Sequence, residues 1–225
     1  MQRNPRNQLL TDHWAIFGLI GLNVIASVTG FFVPWESLNF LKTIPSEVVA
    51  TWQSLITGGF SMGSAIEFAT LLSYAFFHAD LEHLVFNLLY FWVFSFLVGE
   101  LLGQRWVIAI YFVTAISGAV CFVIFNAEST IPMLGASGAV SGFEGAYLGL
   151  AIRSSIPPAF VWPLARPISP FTLGALAVIG VGLDLSGTIN PGNSNTAFAT
   201  HLGGFVAGVF LTSFVTPPAR RATAR

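Results

Sequence analysis

Long apolar runs constrain this chain more than any other feature. Several approach the roughly 20 residues that cross a bilayer, and the sequence is 54% hydrophobic with only 8% charged residues. Soluble domains carry about 25% charged residues, so water is the wrong solvent for most of this surface. Six spans fit the sequence, over about 14–34, 82–101, 105–125, 136–152, 168–184 and 198–216. The last three are weaker because they carry Gly, Ser, Thr and one carboxylate, which suits interior helices shielded from lipid. The first run follows a basic N-terminus but is too long for a signal-peptide core, and no small-residue cleavage pattern follows it. The expected architecture is all-α: a polytopic membrane protein with a six-transmembrane-helix bundle.

Basic residues orient the bundle. Arg3, Arg6, Arg105, Arg153, Arg166, Arg220, Arg221 and Arg225 all fall on one side of the six-span arrangement, leaving Lys42 on the other. The positive-inside rule then makes both termini cytoplasmic. The connection from about 35 to 81 is external and contains apolar segments, 48–56 and 68–77, too short to span. With Gly58, Gly59 and Gly63 between them, they read as interfacial helices between spans one and two. One membrane domain over 1–225 is expected, with short cytoplasmic tails at 1–13 and 217–225, in the cell (plasma or inner) membrane. No basic patch suggests nucleic acid, and the lone Cys121 reads as a packed small hydrophobe.

The chemistry centres on Leu134-Gly135-Ala136-Ser137-Gly138-Ala139-Val140-Ser141-Gly142. A serine at the start of a buried helix sits among backbone N–H groups that lack partners within the helix. Those donors and the helix dipole favour a nearby oxyanion. Topology puts Ser137, His83, Asn87 and His201 in one layer near the external face, with His78 just before span two. His83 and Asn87, four apart, share a helix face. Small-xxx-small pairs on span four, such as Gly138 and Gly142, and the stripe His201, Gly204, Gly208 on span six allow close helix approach. His201 is the obvious base to activate the serine hydroxyl. Taken singly, each residue also has a packing explanation; three clusters at one depth favour chemistry.

The segments His78-Ala-Asp-Leu-Glu-His83-Leu-Val-Phe-Asn87, Gly135-Ala136-Ser137-Gly138 and His201-Leu-Gly-Gly204-Phe-Val-Ala-Gly208 resemble the rhomboid intramembrane serine proteases, in that order and on spans two, four and six. The resemblance covers roughly residues 14–216. It implies a Ser137–His201 dyad with an acyl-enzyme intermediate and no cofactor. It also implies an oxyanion site formed by the His83 and Asn87 side chains with the Ser137 backbone N–H. His78 matches a structural support position, and Glu100 a helix-tethering one. The implied substrates are transmembrane proteins cut near their external end, within the lipid bilayer.

The chain departs from the family pattern in places. Many rhomboids carry an aromatic residue four positions after the serine, against the histidine; here Ser141 stands there, so His201 must be oriented otherwise, with Ser141 itself a candidate. The Trp-Arg pair common in the family's external loop is absent. Glu144 lies on nearly the same face as Ser137, about 10 Å deeper, and reads as structural. Asp184 lies near the external end of span five and is a conceivable third member beside His201, but the resemblance argues against it. Two rival readings remain. One is a catalytically silent rhomboid-like protein that binds transmembrane clients. The other is a metal site on His78, His83 and His201, disfavoured because no carboxylate lies at a matching spacing and Asn87 is a poor ligand.

Overall fold

A computed structural model describes residues 12–153, 156, 161, 168–190 and 197–215. Both tails beyond these limits, with their basic residues, lie outside the described residues, as do Arg166 and the 191–195 segment. The helices run α1 (Trp14–Phe31), α2 (Pro45–Ile56), α3 (Met62–Ser73), α4 (Leu81–Leu102), α5 (Gln104–Phe125), α6 (Ser137–Arg153), α7 (Pro170–Ile189) and α8 (Phe198–Ser213). Among the described residues there is no strand, only an isolated bridge between Thr43 and Met133. The six expected spans correspond to α1 and α4–α8, and the connection between α1 and α4 holds the two short helices α2 and α3. Five spans match the expected limits closely. The fifth span, α7, runs five residues further than the sequence suggested, which carries the helix past Asp184. Its last turn is continued by Thr188, whose hydroxyl donates to Asp184 O at 2.8 Å.

Four of these helices, α1, α4, α5 and α7, are long and apolar enough to cross a membrane; α8 is shorter and apolar. Each carries large apolar side chains on its outer surface, among them Ile25, Phe86, Ile124, Leu183 and Phe210. In lipid such a surface carries no hydrophobic penalty, and association must come from close packing and interhelical hydrogen bonds. Helix α6 is different: of its large apolar residues only Ile152 is exposed. It is the inner helix, packed most extensively on α8 and further enclosed by α5, α4 and α7. This explains its weak hydropathy, since a helix surrounded by protein gains more from small, close-fitting residues than from greasy ones.

Single residues and polar ties set the helix directions. Gly103 alone joins α4 to α5, with φ of 93°, a left-handed conformation that glycine adopts without steric cost. Beside this turn, His13 Nε2 lies 3.5 Å from Glu100 Oε1, and the Ala15 N–H donates to Gln104 Oε1 at 3.3 Å. That pairing is a tether of the kind the resemblance implies for Glu100. At mid-depth, Asn23 donates to Tyr111 Oη at 2.9 Å, and Tyr111 donates in turn to Ala75 O at 3.1 Å. Phe91 meets the rings of Tyr111 and Phe143 edge-on, at 5.6 and 5.3 Å between centroids, the arrangement that aromatic quadrupoles favour.

Candidate active site

Ser137 is the first residue of α6. The Val140 N–H donates to Ala136 O at 2.9 Å as the first bond of the helix, so the N–H groups of Ser137, Gly138 and Ala139 lack partners within the helix. The loop feeding this helix is held from three directions. Met133 N–H donates to Thr43 O at 2.8 Å, and Gly135 N–H donates to Tyr74 O at 3.1 Å. Ala136 N–H donates to His78 Nε2 at 3.2 Å. Tyr74 is fully buried and donates its hydroxyl to Ala115 O at 2.8 Å, forming a floor under the serine loop. Sequence reasoning missed Tyr74 and Thr43. Their only signal was membership in a connecting segment too apolar for an ordinary loop.

The hydrogen bond to Ala136 fixes the tautomer of His78. Because Nε2 accepts, the proton sits on Nδ1, which lies 2.9 Å from Ser27 Oγ; that hydroxyl donates onward to Phe76 O at 3.1 Å. His78 is 1% exposed, and burial, with His83 beside it, pushes its pKa down to about 3. It is therefore a neutral strut between α1 and the serine loop.

His83 stands in the first turn of α4. Asp80 caps that helix, accepting from the His83 N–H at 2.7 Å, a cap worth about 1 kcal/mol that also fixes where the imidazole emerges. Its ring lies 5.1 Å from that of His78 and packs directly on Gly135. A Cβ on Gly135 would come 2.7 Å from His83 Cε1 and 2.9 Å from Nε2, and Gly135 has φ of 120°. Space and backbone conformation both demand glycine there. Asn87, one turn on, is buried and donates one of its two amide hydrogens to His83 O at 2.9 Å, leaving the other for a ligand.

His201 lies in the first turns of α8, which crosses α6 at contact distance. A Cβ on Gly204 would collide with Gly138 O, and one on Gly208 with Gly142 O. Gly145 of α6 comes comparably close to the backbone at Phe205, and Gly149 lies against Thr212 and the backbone at Val209. Thr200, next to the histidine, touches Gly138 with its methyl and donates to Met133 Sδ at 2.8 Å. His201 thus stands beside the helix start that carries Ser137, and within electrostatic range of His83. Its Nδ1 lies 2.8 Å from Asp184 Oδ1 on α7. The residue that sequence reasoning set aside is the one that meets the imidazole. Ser141, expected as a candidate to orient His201, is buried within α6. Glu144, on the same helix, points toward α7, with Oε2 3.7 Å from where a Cβ on Gly180 would stand. No group of three or more potential metal-ligating His, Cys, Asp or Glu residues occurs among the described residues.

Helices, surface and polar cluster together define an all-α polytopic membrane protein with a buried polar site near one end of its inner helix. The sequence matches the Rhomboid domain family over residues 65–218, and the chain belongs to that family, which includes intramembrane proteases. It is 26% identical over 213 residues to RHOMBOID-like protein 12, mitochondrial, of Arabidopsis thaliana, covering 88% of this chain and 57% of that protein. It is 27% identical to Rhomboid protease GluP of Bacillus subtilis (strain 168), covering 81% and 33%. It is 30% identical to the presenilin-associated rhomboid-like protein, mitochondrial, of Rattus norvegicus, covering 64% and 37%. The chain therefore spans between one third and three fifths of the length of these curated relatives.

Proposed function

We propose that this protein is an intramembrane serine endopeptidase that cuts transmembrane segments of other membrane proteins near their external end. The observation that carries this reading is the contact of Gly138 with Gly204 and Thr200, which sets the helix starts bearing Ser137 and His201 side by side. His201 Nε2 takes the hydroxyl proton as Ser137 Oγ bonds to the peptide carbonyl carbon, and the carbonyl electron pair moves onto oxygen. The oxyanion is met by the Ser137 N–H, the free Asn87 amide hydrogen and the His83 ring. The C–N bond then breaks, the imidazolium gives its proton to the leaving amine, and water repeats the cycle on the acyl-enzyme. His201 and Asp184 keep 19% and 16% side-chain exposure, so neither is sealed within the bundle.

A substrate helix must unwind locally, since its peptide groups are otherwise shielded, so segments with Gly or Pro near the external end suit this site. The whole of 1–225 acts as one membrane domain in this reading, with both termini cytoplasmic and the site facing outward in a plasma or inner membrane. A fluorophosphonate probe tests it. Wild type should be labelled covalently, Ser137→Ala not at all, and His201→Ala far more slowly. Labelling that survives both changes refutes the site, and a folded wild type that takes no label leaves the silent client-binding reading.

A further inference from the structure

We propose that Asp184 is a positioning residue that completes a Ser137–His201–Asp184 triad. This rests on the protease reading above and adds a third member to it. Two observations support it. First, the 2.8 Å separation of His201 Nδ1 from Asp184 Oδ1 is that of a charge-assisted hydrogen bond. A carboxylate can only accept, so Nδ1 carries the proton and donates. Nε2 is then left with its lone pair free to receive the serine proton, the tautomer that a general base requires. Second, the pair bridges two helices. Asp184 projects from α7, where only Leu173 and Ala177 are buried, onto α8, the helix most closely fitted to α6. A carboxylate within a membrane helix is costly unless it is paired, and here its partner is the imidazole beside Ser137.

The other ionisable groups on elements packed against α8 are set differently. Glu144 of α6 lies toward Gly180, one turn from Asp184, and Cys121 of α5 lies against Gly203. Neither is hydrogen-bonded to His201 among the described residues. The charge beside the imidazole is that of Asp184, and it stabilises the imidazolium that forms when Ser137 is deprotonated without itself taking the proton.

The test compares wild type, Asp184→Asn, Asp184→Glu and Ser137→Ala, purified in the same detergent, by fluorophosphonate labelling rate, thermal midpoint and ¹⁵N NMR of labelled histidine. The His201 signals are assigned by their loss in His201→Gln. Wild type should show His201 protonated at Nδ1. Asp184→Asn should move the proton to Nε2 and slow labelling by about a hundredfold or more, on the scale of the ~10⁴-fold loss that a wrong tautomer causes in soluble triads. Its thermal midpoint should stay near that of wild type, because the amide is isosteric. Asp184→Glu should restore the Nδ1–H tautomer and part of the rate. Labelling of Asp184→Asn within about threefold of wild type, or an unchanged His201 tautomer, overturns the triad and leaves the Ser137–His201 pair standing. A wild type that takes no label overturns the protease reading itself and the triad with it.

Discussion

Gly204 and Gly138 face one another with no room for a methyl group between them: a Cβ on Gly204 would collide with the Gly138 carbonyl oxygen. The obstacle is backbone, which cannot rotate away as a side chain would. Gly204→Ala should therefore push α8 off α6, costing about 2–3 kcal/mol and slowing fluorophosphonate labelling by up to about 100-fold, the penalty of an ångström-scale misplacement. Gly182→Ala, on an open face of α7 where an added Cβ meets nothing, should leave both readings unchanged. Equal behaviour of the two variants in a thermal melt would show that the glycine contact does not govern the spacing.

His78 makes stability depend on pH. Its pKa lies at about 3 in the folded protein and near 6.5 when unfolded, so below pH 6.5 the unfolded chain binds the extra proton. The stability that His78 contributes is complete above pH 6.5 and lost as pH falls toward 3. Between pH 7 and pH 5 the loss is about 2 kcal/mol. Thermal midpoints in detergent should fall accordingly, while His78→Gln, which keeps an acceptor for Ala136 but does not titrate, should show a flatter profile at a lower starting stability. A wild-type profile as flat as that of the glutamine variant would contradict the neutral-strut assignment.

Asn87 has one amide hydrogen engaged by His83 O and the other without a partner among the described residues. Loss of one oxyanion donor costs on the order of 10²–10³ in rate. Asn87→Ala should slow peptide cleavage by about that factor while leaving KM within a few-fold, because the interaction is made mainly in the transition state. A large KM change with kcat intact would make Asn87 a substrate-binding residue instead.

Gly135→Ala meets two obstacles at once, a φ of 120° and the His83 ring. The left-handed backbone alone costs about 1–2 kcal/mol, and the ring must move as well. The variant should fold with a lowered thermal midpoint and lose most labelling. His83→Ala combined with Gly135→Ala should recover stability relative to Gly135→Ala alone, which a double-mutant cycle would register as coupling.

Much of the bundle was legible because lipid imposes a simple rule: apolar length sets the spans. The limits of α1, α4, α5, α6 and α8 followed from that rule. The end of α7 did not, since Ser186 and Thr188, beyond Asp184, read as a loop while the helix continues through them. The spacings of His83 with Asn87 and of Gly204 with Gly208 were visible as helix faces. The roles of Ser27, Thr43 and Tyr74 were not, because each acts on residues 51 to 90 positions away through backbone groups or a ring nitrogen, and no local pattern marks such a contact. Asp184 was visible, near the end of the helix adjoining that of His201, but the family resemblance outweighed position. The 2.8 Å contact reverses that weighting.

The loop ahead of Ser137 is held by Thr43 O, Tyr74 O and His78 Nε2, and His78 is steadied by Ser27. Two of these four supports, Ser27 and Thr43, precede residue 65, where the Rhomboid domain match begins. A shortened chain that starts at that boundary would keep every residue proposed for chemistry, yet Ser137 would hang from a half-dismantled scaffold. For anyone trimming this protein, the first helix and the connection that follows it belong with the site.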